Sequence, residues 1–251
     1  MQIPVSMVIP ERNPVTQLID WLMPHYCLLC GLVATEGQLC AGCRCDLPRS
    51  GPCCSLCALP LPTYAVDAGQ PRCGRCLLRP PPWDAVVAAL PYRSPADRLV
   101  CRFKFRRDLC CGAVLAREML AAIRGRGGPL PEAIVPVPLH RSRFFARTFN
   151  QAELLARAVG RGLSLPVHTR LLLRRRRTRA QSGLDAAARK RNIRGAFAVQ
   201  PRTRRPALAR HIALVDDVLT TGVTLAECTR TLKRAGAVRI SVWVAARAPA
   251  P

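Results

Sequence analysis

Two carboxylates followed by a small, hydroxyl-rich loop carry the first chemistry in this chain. Asp216 and Asp217 come directly after the apolar run 212–215, and Leu219, Thr220, Thr221 and Gly222 follow. The apolar run suits a strand buried on both faces of a parallel sheet. From Thr224 onward, Leu225, Cys228, Leu232 and Ala235 are spaced 3, 4 and 3, as on one face of a helix, and Gly236 is a natural stop. Residues 238–244 read as the next strand, completing a βαβ unit. Small residues in such a loop let backbone N–H groups converge on one point, and the helix N-terminus adds partial positive charge. The loop Thr220, Thr221, Gly222, Val223 and Thr224 therefore suits a phosphate, and its threonine hydroxyls can donate to the same anion. Repulsion keeps the two carboxylates off that phosphate, but they can accept hydrogen bonds from vicinal hydroxyls of the sugar that bears it. The stretch reads as a 5-phosphoribose site. Paired acids after a strand also serve Mg²⁺ or other nucleotide arrangements, but acids with TTG-x-T between strand and helix favour the sugar phosphate. A Walker A loop is excluded, because no Lys follows the glycine.

Cysteines supply the second chemistry. Four C-x-x-C pairs occur between residues 27 and 76: Cys27/Cys30, Cys40/Cys43, Cys54/Cys57 and Cys73/Cys76. Each turn presents two thiolates to one ion, and two turns complete a tetrahedral site, so four pairs make two structural Zn²⁺ sites. Few residues between the pairs are apolar, so metal has to hold the segment folded. Sequential pairing is the simplest arrangement, with a cross-braced one as the alternative. Disulfides and an iron–sulfur cluster are the rival readings. A cytoplasmic setting argues against the first, and regular pairing into two sets of four argues against the second. Of the remaining cysteines, Cys228 falls on the apolar face of the helix after the loop and reads as packing.

Composition bounds the rest. The chain has 251 residues, enough for one α/β domain and a small module, and a formal net charge of +24. That charge suggests an anionic partner such as nucleic acid. It is discounted because nearly all of it is Arg, with only Lys104, Lys190 and Lys233 as lysines, a skew that a GC-rich genome produces. No apolar run is long enough for a transmembrane helix, and the proline-broken N-terminus does not read as a signal peptide. The expected location is cytoplasmic.

Several elements must position these groups. Residues 1–20 read as a tail, 21–80 as a double zinc ribbon, and Pro80, Pro81 and Pro82 mark the exit from it. Residues 85–91 read as a strand, 99–105 as helix or strand, and 113–123 as an amphipathic helix. Lys104 sits among apolar residues and reads either as a snorkelling surface lysine or as a group facing the site. Residues 133–139 read as a second buried strand ending at Pro136 and Pro138, where an X-Pro bond can be cis. Asn150 and Glu153 have capping-box spacing for a helix running to about Val159. Residues 170–194 hold ten Lys/Arg against one acid, Asp185. They read as a solvated face or as a basic flap over a pyrophosphate.

VDDVLTTGVT resembles the phosphoribosyl-pyrophosphate (PRPP) signature of type I phosphoribosyltransferases. The resemblance widens when the zinc knuckles, PVPLH, R-x-x-x-R-x-FNQ, R-T-R-x-Q and R-x-R-N-I-x-GAF are read in order with it. Together they resemble the ComF/GntX family over residues 18–247. The resemblance implies a phosphoribosyltransferase-like parallel sheet flanked by helices over residues 81–251, behind the zinc ribbon. It implies that Asp216 and Asp217 hold the ribose and that Thr220 to Thr224 hold the 5-phosphate. Pro136, Val137, Pro138 and Leu139 would form a pyrophosphate loop, and Arg143, Arg147, Asn150 and Gln151 would line or brace the pocket. PRPP with Mg²⁺ is the implied ligand of a transferase whose acceptor is unread. Single-stranded DNA and competence-machinery proteins are further implied partners, through the family's link to DNA uptake. One departure stands out: Thr148 takes the place of the glycine in the family's usual RGFNQ. The alternative function is a non-catalytic zinc-ribbon protein acting on incoming single-stranded DNA.

Overall fold

The computed structural model describes residues 26–34, 37–62, 71–139, 149–176, 193–200 and 209–249. The chain divides into two compact units, Met1–Asp46 and Leu47–Pro251. The ribbon expected over 21–80 is thus shared between them, one cysteine cluster in each. Within the first unit the described residues form tight turns and one short helix, α1 (Ala41–Cys45).

The second unit opens with the other cysteine cluster and its short helix α2 (Gly74–Leu78). Strand β1 (Ala85–Pro91) follows, then α3 (Ala96–Phe105), α4 (Leu109–Arg126) and β2 (Ala133–Pro136). Next come α5 (Gln151–Leu163), the short strands β3 (Leu172–Arg174) and β4 (Phe197–Val199), β5 (His211–Leu219), α6 (Val223–Arg234) and β6 (Arg239–Arg247). The main sheet has the order β1-β6-β5-β2 with every pair parallel, and β3 pairs antiparallel with β4.

Period-2 alternation shows that both faces of the sheet are covered. Ile212, Leu214, Ile240 and Val242 pack with Leu225, Cys228 and Leu232 of α6. The intervening Ala213, Val215, Trp243 and Ala245 are buried as well, and α4 and α5 pack on the strands. Cys228 is a core residue, as its helical spacing predicts.

Local differences from the sequence reading have physical reasons. Residues 99–105 are helical, because Leu99, Val100 and Phe103 bury one face at helical spacing. The strand at 133 stops at Pro136, and Val137 turns away from the ladder after donating to the Val215 carbonyl. The cis prolyl bond among the described residues is Ser94–Pro95, not one in the PVPL turn. The Asn150 cap forms, but its side chain accepts from Ala152 N, and Glu153 pairs with Arg157 instead of reaching back. Most of the basic flap lies outside the described residues.

Candidate functional site

β5 does not end at the acids; it runs through them. On the β2 side its pairing stops at Val215, opposite Pro136. On the β6 side it continues past Asp216, opposite Val244, to Leu219, opposite Arg247. The two acids therefore stand where one neighbouring strand has ended and the other has not, at the carboxyl end of the sheet. Such a crevice is where open α/β sheets take ligands. Beyond it, Gly222 caps α6 at φ +76, a left-handed conformation suited to glycine. No side chain caps α6. An anion is thus the fitting partner for its first-turn N–H groups.

The acids are held differently. Asp217 lies 2.9 Å from Lys104 Nζ through Oδ2 and accepts from Val218 N at 2.7 Å through Oδ1. Asp216 accepts from Asp217 N at 2.9 Å. Burial, then the neighbouring Asp217 charge, push the Asp216 carboxyl up to about 7. Lys104 thus faces the site, on α3. Gln151, almost fully buried, reaches the Lys104 carbonyl at 3.5 Å, and Asn150 Nδ2 donates to the Val137 carbonyl at 3.1 Å. The start of α5 thereby fastens both the lysine-bearing helix and the PVPL turn. Val137 is buried, while Pro138 and Leu139 are half-exposed at the strand end. Arg143 and Arg147 lie outside the described residues, as does Thr148.

Two residues at the loop carry no sequence motif. Trp83 is buried, donates to the Leu56 carbonyl at 2.6 Å, and lies where a Cβ on Gly222 would come within 2.8 Å of its ring. Arg247 is buried at the end of β6 and bonds carbonyls of the loop. The only sequence signals are a Trp just past three prolines and an Arg closing the apolar run 242–246.

The cysteines form two clusters: Cys27, Cys30, Cys40 and Cys43, and Cys54, Cys57, Cys73 and Cys76, with the ligand atoms of each within 4.8 Å of one another. Pairing is therefore sequential, not cross-braced. A tetrahedron with Zn–S bonds of about 2.3 Å has S···S edges of about 3.8 Å. The Cys30–Cys40 and Cys57–Cys73 sulfurs lie 3.7 and 3.6 Å apart. The protein alone cannot keep four thiolates so close together. Burial opposes ionisation of Cys54, but backbone N–H groups outweigh it and bring the thiol down to about 7, while burial and neighbouring thiols push Cys57 up to about 11. A divalent cation eases that conflict by offsetting part of the charge and taking all four thiolates as ligands. The residues fit structural Zn²⁺ at both places, which would cross-link each pair of turns.

Fold and clusters define the class: an α/β protein with a parallel main sheet, preceded in the chain by a segment with two four-cysteine sites. The double zinc ribbon domain model matches residues 18–77. The chain is 38% identical over 233 residues to DNA utilization protein YhgH of Salmonella typhi, covering 90% of this chain and 98% of that one. It is 37% identical over 228 residues to competence protein F of Haemophilus influenzae, covering 88% and 96%. Competence protein ComFC of Bacillus subtilis is 26% identical over 212 residues, covering 82% of each. The chain belongs to this competence protein F and DNA utilization protein family. Among solved structures, the glutamine PRPP amidotransferase of B. subtilis aligns at 18% identity and a TM-score of 0.35, over 53% of this chain and 26% of its own. The chain thus spans about a quarter of that enzyme's length. No described helix is long and apolar enough to cross a membrane.

Proposed function

We propose that the protein binds PRPP or a closely related phosphoribosyl ligand and works in the handling of DNA during uptake, in the cytoplasm. The observation that carries this reading is the pair Asp216–Asp217 at the carboxyl end of the sheet, set before a helix N-terminus that has no side-chain cap. Backbone N–H groups and hydroxyls of Thr220, Thr221, Gly222, Val223 and Thr224 hold the 5-phosphate. Asp216 and Asp217 accept from the ribose 2- and 3-hydroxyls. The PVPL turn (Pro136, Val137, Pro138, Leu139), fixed by Asn150, faces the pyrophosphate together with Arg143 and Arg147, and Mg²⁺ accompanies that pyrophosphate. Lys104 neutralises Asp217 in the free protein and turns to the ligand phosphates on binding. As a transferase the site would break the bond from C1 to the pyrophosphate oxygen, form a bond from C1 to an acceptor, and release pyrophosphate.

A second reading is favoured by a separate observation. A cavity of about 1220 Å³ borders the phosphate loop and the outer face of α6, and its lining includes Arg75, Arg79, Arg194, Arg230, Lys233 and Arg234. Glu227 is the one acid among the described lining residues. This volume exceeds the roughly 300–1,000 Å³ of a small-molecule site, and the charge suits a phosphodiester backbone. On this reading the family role rests on binding single-stranded DNA there, without turnover. Calorimetric titration with PRPP and Mg²⁺, repeated with a single-stranded oligonucleotide, separates the two. Saturable PRPP binding that persists with the oligonucleotide bound supports the first reading; oligonucleotide binding alone supports the second.

A further inference from the structure

Arg247 ends β6 with its side chain buried, at 7% exposure, and has no acidic partner among the described residues. Its Nε and Nη1 donate to carbonyl oxygens. Nε donates to Cys57 at 2.6 Å, in the second cysteine cluster. Nη1 donates to Leu219 at 2.8 Å, to Thr220 at 2.9 Å and to Ala248. The backbone closes the same corner, with Ala248 N donating to the Leu219 carbonyl at 3.0 Å. One planar guanidinium thus joins the first residues of the phosphate loop to a knuckle of the cysteine cluster.

The chemistry of an anion loop gives this contact a purpose. Such a loop works when its N–H groups face the ligand and its carbonyl lone pairs, which repel a phosphate, are turned away. Arg247 ties up the Leu219 and Thr220 carbonyls by hydrogen bonds. Trp83 braces Gly222: its indole N–H is anchored on Leu56 of the same knuckle, and its ring fills the space beside that glycine. Both braces start from the segment 54–57, which the cysteine cluster holds in shape.

We infer that Arg247 is a positioning residue for the phosphate loop and couples it to the second cluster. Metal at Cys54, Cys57, Cys73 and Cys76 therefore supports anion binding at residues 219–224, whereas metal at Cys27, Cys30, Cys40 and Cys43 does not. The identity of the anion rests on the phosphoribose reading; the coupling does not.

The test uses the full chain, comparing wild type with Arg247→Lys, Arg247→Met, Cys73→Ser and Cys40→Ser. Zinc content, melting temperature, amide hydrogen exchange at residues 219–224 and in β1, and PRPP affinity are read for each. Arg247→Lys keeps both zinc ions and the main melting transition, because a buried cation remains. A lysine ammonium lacks the planar fork, so loop amides exchange about tenfold faster and PRPP binds about tenfold more weakly, the loss expected of a charge-assisted hydrogen bond. Cys73→Ser reproduces the loop signature, and Cys40→Ser does not. Loop exchange unchanged in Arg247→Lys overturns the inference. So does exchange that accelerates equally in the loop and β1, or an equal loop response to the two cysteine variants. If wild type binds no PRPP, the phosphoribose reading falls while the exchange measurements still decide the coupling.

Discussion

The two cysteine clusters share their ligands and their C-x-x-C turns, yet they are built into the protein in different ways. In the first, Cys27 is buried, Cys30 is exposed and the other two are intermediate. Its shape comes from short-range bonds: Cys27 N to the Leu32 carbonyl, Leu28 N to the Gln38 carbonyl, and the Cys40 thiol accepting from Cys43 N at the start of α1. In the second, Cys54 and Cys76 are buried around Leu56. Three successive carbonyls of that knuckle accept hydrogen bonds from the sheet and the segment leading into it: Ser55 from Val86 N, Leu56 from the Trp83 indole, and Cys57 from Arg247. Ala58 belongs to the main hydrophobic core. A zinc knuckle can therefore be shaped by its own short-range bonds or be bonded into the wall of a site in its own unit. What separates the cases is the destination of the knuckle's backbone hydrogen bonds.

The largest expected effect breaks this comparison if it fails. Structural zinc is worth roughly 10–16 kcal/mol in knuckle peptides, comparable to the whole stability of a domain, about 5–15 kcal/mol. Cys73→Ser should lower the main calorimetric transition by more than about 10 °C while the chain still folds at low temperature. Cys40→Ser should leave that transition within about 2 °C, with one zinc ion lost. Equal shifts for the two variants would show that the clusters are equivalent.

The next effect lies at the loop that the second cluster braces. Gly222→Val forces a β-branched residue into φ +76 and drives a Cβ to within 2.8 Å of the Trp83 ring. PRPP affinity should fall more than about a hundredfold, and the melting temperature should drop by several degrees. Near-wild-type affinity would mean that the loop does not hold the phosphate. Thr221→Ala, which removes one hydroxyl and leaves the backbone cradle, should cost only about threefold to tenfold, in line with a neutral hydrogen bond.

A smaller effect sharpens the contrast between site and scaffold through pH. The Asp216 carboxyl rises from an ordinary 3.8 to about 7 through burial and the Asp217 charge. Below about pH 4 it is protonated in both folded and unfolded chains. Between about 4 and 7 the unfolded chain releases the proton that the folded chain still holds, so stability falls as pH rises and then levels off. Asp216→Asn should therefore raise the melting temperature by a few degrees at pH 8 and by little at pH 4. A stabilised variant with weakened ligand binding is the expected signature of a functional strain. A gain independent of pH would point to another cause.

Much of this was legible in the sequence wherever chemistry is written in local spacing. The four cysteine pairs and the Asp216–Thr224 stretch needed only neighbours in the chain to be read. The core strands were found from apolar runs, and α6 from its helical period. Long-range hydrogen bonds left no local mark. Arg247 meets Cys57 across 190 residues, and Trp83 meets Leu56 across 27. The division of the cysteine segment between two compact units was hidden for the same reason. Lys104 was ambiguous because a lysine on an amphipathic helix reads alike whether it points to water or to Asp217.

The central claim is that Asp216 and Asp217 hold the ribose of a ligand whose phosphate sits on the loop after them. Its most direct test is isothermal titration of wild type, Asp216→Asn and Asp217→Asn with PRPP and Mg²⁺ at one fixed salt concentration. Hydrogen bonds to charged groups are worth roughly 1.5–3 kcal/mol. The account predicts one saturable site per chain in wild type and about ten- to a hundredfold weaker binding in each variant, with both zinc ions retained. Wild-type affinity in both variants, or no binding by wild type, would contradict it.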